Sequence, residues 1–207
     1  QQDNFETSEL HIDINLVKND VLDIEGLKKW RSQYADAEFV CAENGNFYCG
    51  NRVEKMSKSK FNTQNPNEII EKYSADTLRL YEMFLGPLEH SKPWDTSGID
   101  GVHKFLRKFW RLFLNKAGEF APSDAKASPA ELKTLHKTIK KIGEDIENQS
   151  FNTSIPAFMI CVNELASLKC NKVEILKPFL ILLSPFAPHI SEELWHQLGE
   201  TTSIVLA

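Results

Sequence analysis

The spacing of hydrophobic positions along this chain changes character near residue 65. Before that point it is short-ranged. Residues 11–17 alternate apolar and polar side chains, which predicts a half-buried strand. Residues 24–30 predict a short helix. Residues 38–41 and 47–49 flank 42–46 and predict a hairpin around the Asn44-Gly45 turn. After residue 65 the period becomes helical. Asn65 can cap, Pro66 suits a first turn, and Ile69, Ile70 and Tyr73 form an apolar face. A second helix is predicted over 75–85, stopped by Gly86-Pro87, with a loop over 88–98 holding Lys92-Pro93-Trp94-Asp95. A long helix follows over 99–116, where Ile99, Val102, Leu106, Phe109 and Phe113 recur at steps of three and four.

Residues 121–129 read as a linker rich in Ala, Ser and Pro. Beyond it, 129–148 places Leu132, Leu135, Ile139, Ile142 and Ile146 on one face, and 151–168 repeats the pattern. Residues 173–183 are apolar all round and belong in the centre of a bundle. Residues 188–198 close the series, with Gly199 as C-cap. Amphipathic helices on short loops predict a helical bundle. The expected fold is therefore mostly α: a small α/β segment followed by an α-helical bundle.

Composition permits a packed core, with 42% apolar residues, 13 Phe and 4 Trp. A net charge of −5 carries no global nucleic-acid footprint, so any such role must rest on local charge. Cys41, Cys49, Cys161 and Cys170 form no C-x-x-C pair and lack histidines at zinc spacing, which predicts free thiols in a reducing compartment and no bound metal. No apolar run reaches the roughly 18 residues of a membrane span, and no signal sequence opens the chain, so the expected location is cytoplasmic. The chain starts Gln1-Gln2-Asp3-Asn4 without an initiator Met and stops in an apolar run at 203–207, as expected of a piece of a longer protein.

One stretch concentrates chemistry. Residues 52–60 hold Arg52, Lys55, Lys58 and Lys60 against the single acid Glu54, with serines between. Lysine ammonium groups and small hydroxyls can surround a polyphosphate, since charge-assisted contacts are the strong ones. By charge alone a solvated basic turn is the commoner reading. The literal string Lys55-Met56-Ser57-Lys58-Ser59 resembles the second signature of class I aminoacyl-tRNA synthetases. The order of β-rich part, basic loop, short helices and long-helix bundle is similar to that family too. Residues 81–89, 91–96 and 101–106 resemble the leucyl branch in its bacterial form, as do Phe151-Asn152-Thr153 and 185–195. The second half alone also suits valyl and isoleucyl enzymes. One departure stands out: the family usually has Gly-Asn two residues after the signature, where this chain has Phe61-Asn62. Gly bends freely at positive φ, so Phe61 should stiffen the loop exit or pack on a neighbour.

The resemblance implies three regions: 1–62, the end of the catalytic domain or an insertion, closing with the signature loop; 63–98, a stem-contact region; and 99–207, an anticodon-binding-type bundle. It implies ATP-dependent activation of leucine to leucyl-adenylate and transfer to tRNA(Leu), with Mg accompanying ATP and a monomeric enzyme. Lys58 is the principal catalytic candidate, Lys55 the second, and residues 55–59, Met56 included, form the ATP-phosphate site. The family's first signature, of His-x-Gly-His type, is absent around His11 and His103, so this chain alone should catalyse no leucine-dependent pyrophosphate exchange.

A second basic feature lies on the predicted long helix. Residues 102–116 contain Lys104, Arg107, Lys108, Arg111 and Lys116 and no acid, and the first four share a helical face. Lys133, Lys137, Lys140 and Lys141 form another cluster. Both can be solvated faces; with the resemblance, Lys104, Arg107, Lys108 and Arg111 become candidate contacts to tRNA phosphates. Trp94, Trp110 and Trp195 read as core or interface aromatics rather than base-stacking platforms, and His189 as a capping or packing residue. The competing function is a non-catalytic RNA-binding module that carries a basic loop.

Overall fold

The computed structural model describes residues 8–95 and 98–207. The opening Gln1-Gln2-Asp3-Asn4 and Thr96 of the leucyl-like stretch lie outside the described residues. The chain divides into two units, 1–65 and 66–207.

The first unit is short in regular structure. A 3-10 turn (Ile14–Leu16) leads into an antiparallel pair, β1 (Val17–Lys18) and β2 (Val21–Leu22), and then helix α1 (Ile24–Trp30). The strand expected over 11–17 is not formed. Asp13 accepts a hydrogen bond from the Asn15 amide at 2.9 Å and turns the chain locally, as Asp and Asn do when they compete with a ladder. The turn that joins β1 to β2 is Asn19-Asp20, both at positive φ (51° and 63°), as a type I′ hairpin requires. The expected hairpin over 38–49 keeps its turn, with Gly45 at φ 79°, but its second arm pairs elsewhere: Tyr48 bridges to Val21, and the Leu22 amide donates to the Phe47 carbonyl at 3.0 Å. Helix α1 starts on Asp23, which caps the Gly26 amide at 2.9 Å.

The second unit is the helical bundle: α2 (Pro66–Tyr73), α3 (Ala75–Phe84), α4 (Ile99–Arg111), α5 (Pro129–Glu147), α6 (Phe151–Ser167), α7 (Val173–Leu183) and α8 (Pro188–Gln197). Helix α6 packs on α3, α4 and α5, and α7 on α5 and α8. Their shared core holds Phe109, Phe113, Phe158 and Phe179, all at 0% exposure, and α7 contributes five buried residues, as its all-round apolar pattern predicts. Helix α4 stops at Arg111 rather than 116: the chain turns through 112–118, where the Asn115 side chain accepts from the Ala117 and Glu119 amides and Gly118 sits at φ 83°. Two expected face residues, Ile70 and Ile146, are exposed, being at the margin of their apolar stripes.

Polar groups fix the start of α5. Ser128 and Glu131 form a capping box at α5, and Lys172, just before α7, donates to both Glu131 oxygens at 2.6 and 2.7 Å. Burial pushes the Glu131 carboxyl up, but Lys172 and Ser128 outweigh it and bring it down to about 2.

Candidate functional site

The signature loop is built by local hydrogen bonds. Residues 51–57 run without regular structure into a 3-10 turn at Lys58–Lys60. The Lys60 amide donates to the Ser57 carbonyl at 3.0 Å, and the Phe61 amide to the Lys58 carbonyl at 3.2 Å. Asn62 staples the two arms: its Oδ1 accepts from the Ser57 amide at 2.8 Å, and its Nδ2 donates to the Lys55 carbonyl at 3.4 Å. The Ser57 and Ser59 hydroxyls stand 2.8 Å apart. Asn62 carries no signal in the sequence beyond its place at the loop exit; the fold alone gives it this role.

Charge within the loop is sorted by one acid. Glu54 takes Lys60 at 2.6 Å, Arg52 at 2.5 Å and His11 at 3.2 Å, while Arg52 also reaches Glu9 at 2.9 Å. Lys60, then Arg52, then His11 hold the Glu54 carboxyl down at about 2. Four cations along the sequence therefore become two. Lys55 and Lys58 are exposed and form no ion pair among the described residues. Two ammonium groups without an ion pair, alternating along the loop with two serine hydroxyls, suit a polyanion with several oxygens.

Phe61 occupies the position where a glycine is usual in the resembling family. It adopts left-handed backbone angles (φ 55°, ψ 28°), which for a bulky residue costs of the order of 1–3 kcal/mol and persists only where the surroundings hold it. They do. The Ile14 amide donates to its carbonyl at 3.0 Å. Its ring packs edge-on against Trp30 at 4.8 Å, and the Arg31 guanidinium lies over both rings, 4.4 Å from that of Trp30 and 4.9 Å from that of Phe61. The expected packing of Phe61 on a neighbour is thus found.

On the bundle, Lys104, Arg107, Lys108 and Arg111 are exposed and line one groove of about 890 Å3 with Lys116 and Lys169. Lys169 lies far from α4 in sequence; it follows α6 at φ 53° and joins the groove through the fold alone. Lys108 donates to Asn163 at 2.6 Å, which ties α4 to α6. In the second cluster, Lys141 is engaged by Asp145 at 2.5 Å and Lys140 by Glu144 at 3.9 Å, so less cationic surface is left there.

The aromatic and histidine readings resolve structurally. Trp195 is 4% exposed, with its indole nitrogen donating to the Thr202 carbonyl at 2.9 Å; Trp94 packs edge-on against Tyr81 at 5.2 Å. His189 opens α8 beside the buried Asp76 of α3. That carboxylate accepts from the Ile190 amide at 2.7 Å and lies 2.8 Å from His189 Nδ1, capping a helix that has no capping side chain of its own. Burial raises the thiols of Cys161 and Cys170 to about 11. Among the described residues, no group of three or more His, Cys, Asp or Glu is placed to hold a metal ion, and no helix is long and apolar enough to cross a membrane.

A family model for tRNA synthetases class I (I, L, M and V) matches residues 44–92, which include the loop, and one for the anticodon-binding domain of tRNA ligase matches residues 131–207. Over 203 residues, 98% of this chain, the sequence is 62% identical to the leucine–tRNA ligase of Cytophaga hutchinsonii and 63% identical to that of Parabacteroides distasonis. The chain belongs to the leucine–tRNA ligase family. It spans about a fifth of the length of these ligases, 22% and 21%. A crystal structure of an Agrobacterium radiobacter K84 LeuRS, a ternary complex with tRNA and LeuAMS, matches with a TM-score of 0.62 at 30% identity, over 72% of this chain and 21% of that one. The residue pattern that pointed to the leucyl branch therefore agrees with leucine–tRNA ligase relatives along nearly the whole chain.

Proposed function

We propose that this chain supplies the pyrophosphate-stabilising loop and tRNA-binding helices of a leucine–tRNA ligase, which activates leucine with ATP to leucyl-adenylate and transfers it to tRNA(Leu). The observation that carries this reading is the pair of exposed ammonium groups on the family's signature loop, Lys55 and Lys58, which form no ion pair among the described residues. In adenylate formation the leucine carboxylate attacks the α-phosphorus, the bond to the bridging oxygen breaks, and negative charge collects on departing pyrophosphate. A cation that meets those oxygens more closely in the transition state than in the ground state lowers the barrier. Lys58 takes that role, Lys55 assists, the Ser57 and Ser59 hydroxyls orient phosphate oxygens, and Met56 belongs to the same phosphate loop. Magnesium enters with ATP as part of the substrate. Asn62 keeps the loop closed on itself, and Glu54 withholds Arg52 and Lys60 from the phosphates.

Residues 63–98 act as the stem-contact region, and the bundle over 99–207 carries the tRNA. Lys104, Arg107, Lys108 and Arg111 face the RNA backbone along the groove on α4. The enzyme is cytoplasmic and monomeric in this reading. In the full-length ligase, Lys58→Ala should slow leucyl-adenylate formation about a hundredfold, the scale of a lost oxyanion-stabilising donor. Leucine binding should be little changed. Pyrophosphate exchange near the wild-type rate would refute the assignment.

A further inference from the structure

We propose that Phe61 is a positioning residue for ATP: together with Trp30 and Arg31 it latches the exit of the signature loop onto α1 and so holds the loop over residues 55–59 ready for the triphosphate. The proposal rests on the reading of residues 55–59 as the ATP-phosphate loop. Three independent contacts converge on Phe61: the 3-10 turn closes on its amide, Ile14 holds its carbonyl, and its ring sits 4.8 Å from Trp30. Arg31 lies over both rings and forms no ion pair among the described residues, so the aromatic faces are what hold it. Phe61 is also separated from Lys58 by only two residues, both inside the turn that its own amide closes.

Glycine would satisfy the left-handed backbone at no steric cost and leave the loop exit free. Phenylalanine accepts the strain and gains a latch. A loop already fixed at one end loses less conformational freedom when it closes on a ligand, so the latch should act on ATP affinity rather than on the chemical step. The latch is also a route by which α1, outside the signature, bears on the phosphate site.

The test uses the full-length ligase and leucine-dependent pyrophosphate exchange. Phe61→Gly should raise the KM for ATP about three- to tenfold, while kcat and the KM for leucine stay within about twofold. Thermal unfolding should shift by no more than about 3 °C, because relief of strain offsets lost packing. Phe61→Tyr keeps the ring and should behave as wild type. Trp30→Ala should reproduce the ATP effect, and the double variant should be no worse than either single one. An unchanged or lowered KM for ATP in Phe61→Gly overturns the latch, as does full additivity in the double variant. Lys58→Ala is assayed alongside: if it is impaired while Phe61→Gly is not, only the latch fails; if Lys58→Ala is itself unimpaired, the phosphate-loop reading fails and the latch with it.

Discussion

Residues 66–207 and residues 8–65 solve the problem of holding a shape by different means. The bundle buries a continuous set of aromatic and aliphatic side chains from Ile69 to Ile204, whereas the described residues before 66 bury only Leu22 and Leu27 to that degree. What the smaller unit lacks in core it replaces with directional contacts: the Glu54 hub, the Asn62 staple and the Phe61–Trp30–Arg31 stack. Apolar burial is non-directional and tolerates sliding; charge-assisted contacts set where individual groups stand. The difference suits a stable helical platform on one hand and a loop with aimed ammonium groups on the other.

Three perturbations sharpen that contrast. Phe158→Ala should have the largest effect, because its ring meets Phe179 at 5.7 Å and Phe186 at 5.2 Å in the middle of the bundle. Chemical denaturation should show a loss of about 3–5 kcal/mol; a loss under about 1 kcal/mol would mean the core is not the source of stability. Next comes acid. The Glu131 carboxyl, at about 2, lies below its unfolded value of 4.5. Its stabilisation is therefore complete above the unfolded value and disappears as pH falls through the folded one. Between pH 4.5 and 2 the bundle should lose about 2–3 kcal/mol through this group, and Glu131→Gln should flatten that part of the pH–stability curve. An unaltered curve would contradict the role given to the Lys172 pair. The smallest change in stability, but a clear one in binding, is expected from Lys104→Glu with Arg107→Glu. These should weaken tRNA affinity about tenfold and reduce the slope of log K against log salt by roughly 2. Unchanged affinity would make this face an ordinary solvated one.

How much of this was legible in the sequence follows the same division. Where stability comes from apolar periodicity, the pattern sufficed: α3, α5, α6, α7 and α8 lie within a residue or two of their expected bounds, and the all-round apolar character of 173–183 marked the central helix. Where a side chain competes with the backbone, periodicity misled. Asp13 converts an alternating run into a 3-10 turn, and Asn115 ends α4 five residues early while Leu112 and Phe113 continue the apolar rhythm. The Asn19-Asp20 pair is a turn signal in the sequence, but the alternation of residues 11–17 masks it. At the site, the literal motif named Lys55 to Ser59, but its charge count treated all four cations alike. Only the fold brings Glu54 against Arg52 and Lys60, and only the fold carries Lys169 into the groove of α4.

The loop's cations are not equivalent: Lys58 forms no ion pair among the described residues, whereas Lys60 is held by Glu54 at 2.6 Å. Leucine-dependent pyrophosphate exchange by full-length Lys58→Ala and Lys60→Ala, measured side by side, tests this most directly. The account predicts a rate lower by about a hundredfold for Lys58→Ala and by less than about tenfold for Lys60→Ala. Equal losses in the two variants, or the larger loss in Lys60→Ala, would contradict it.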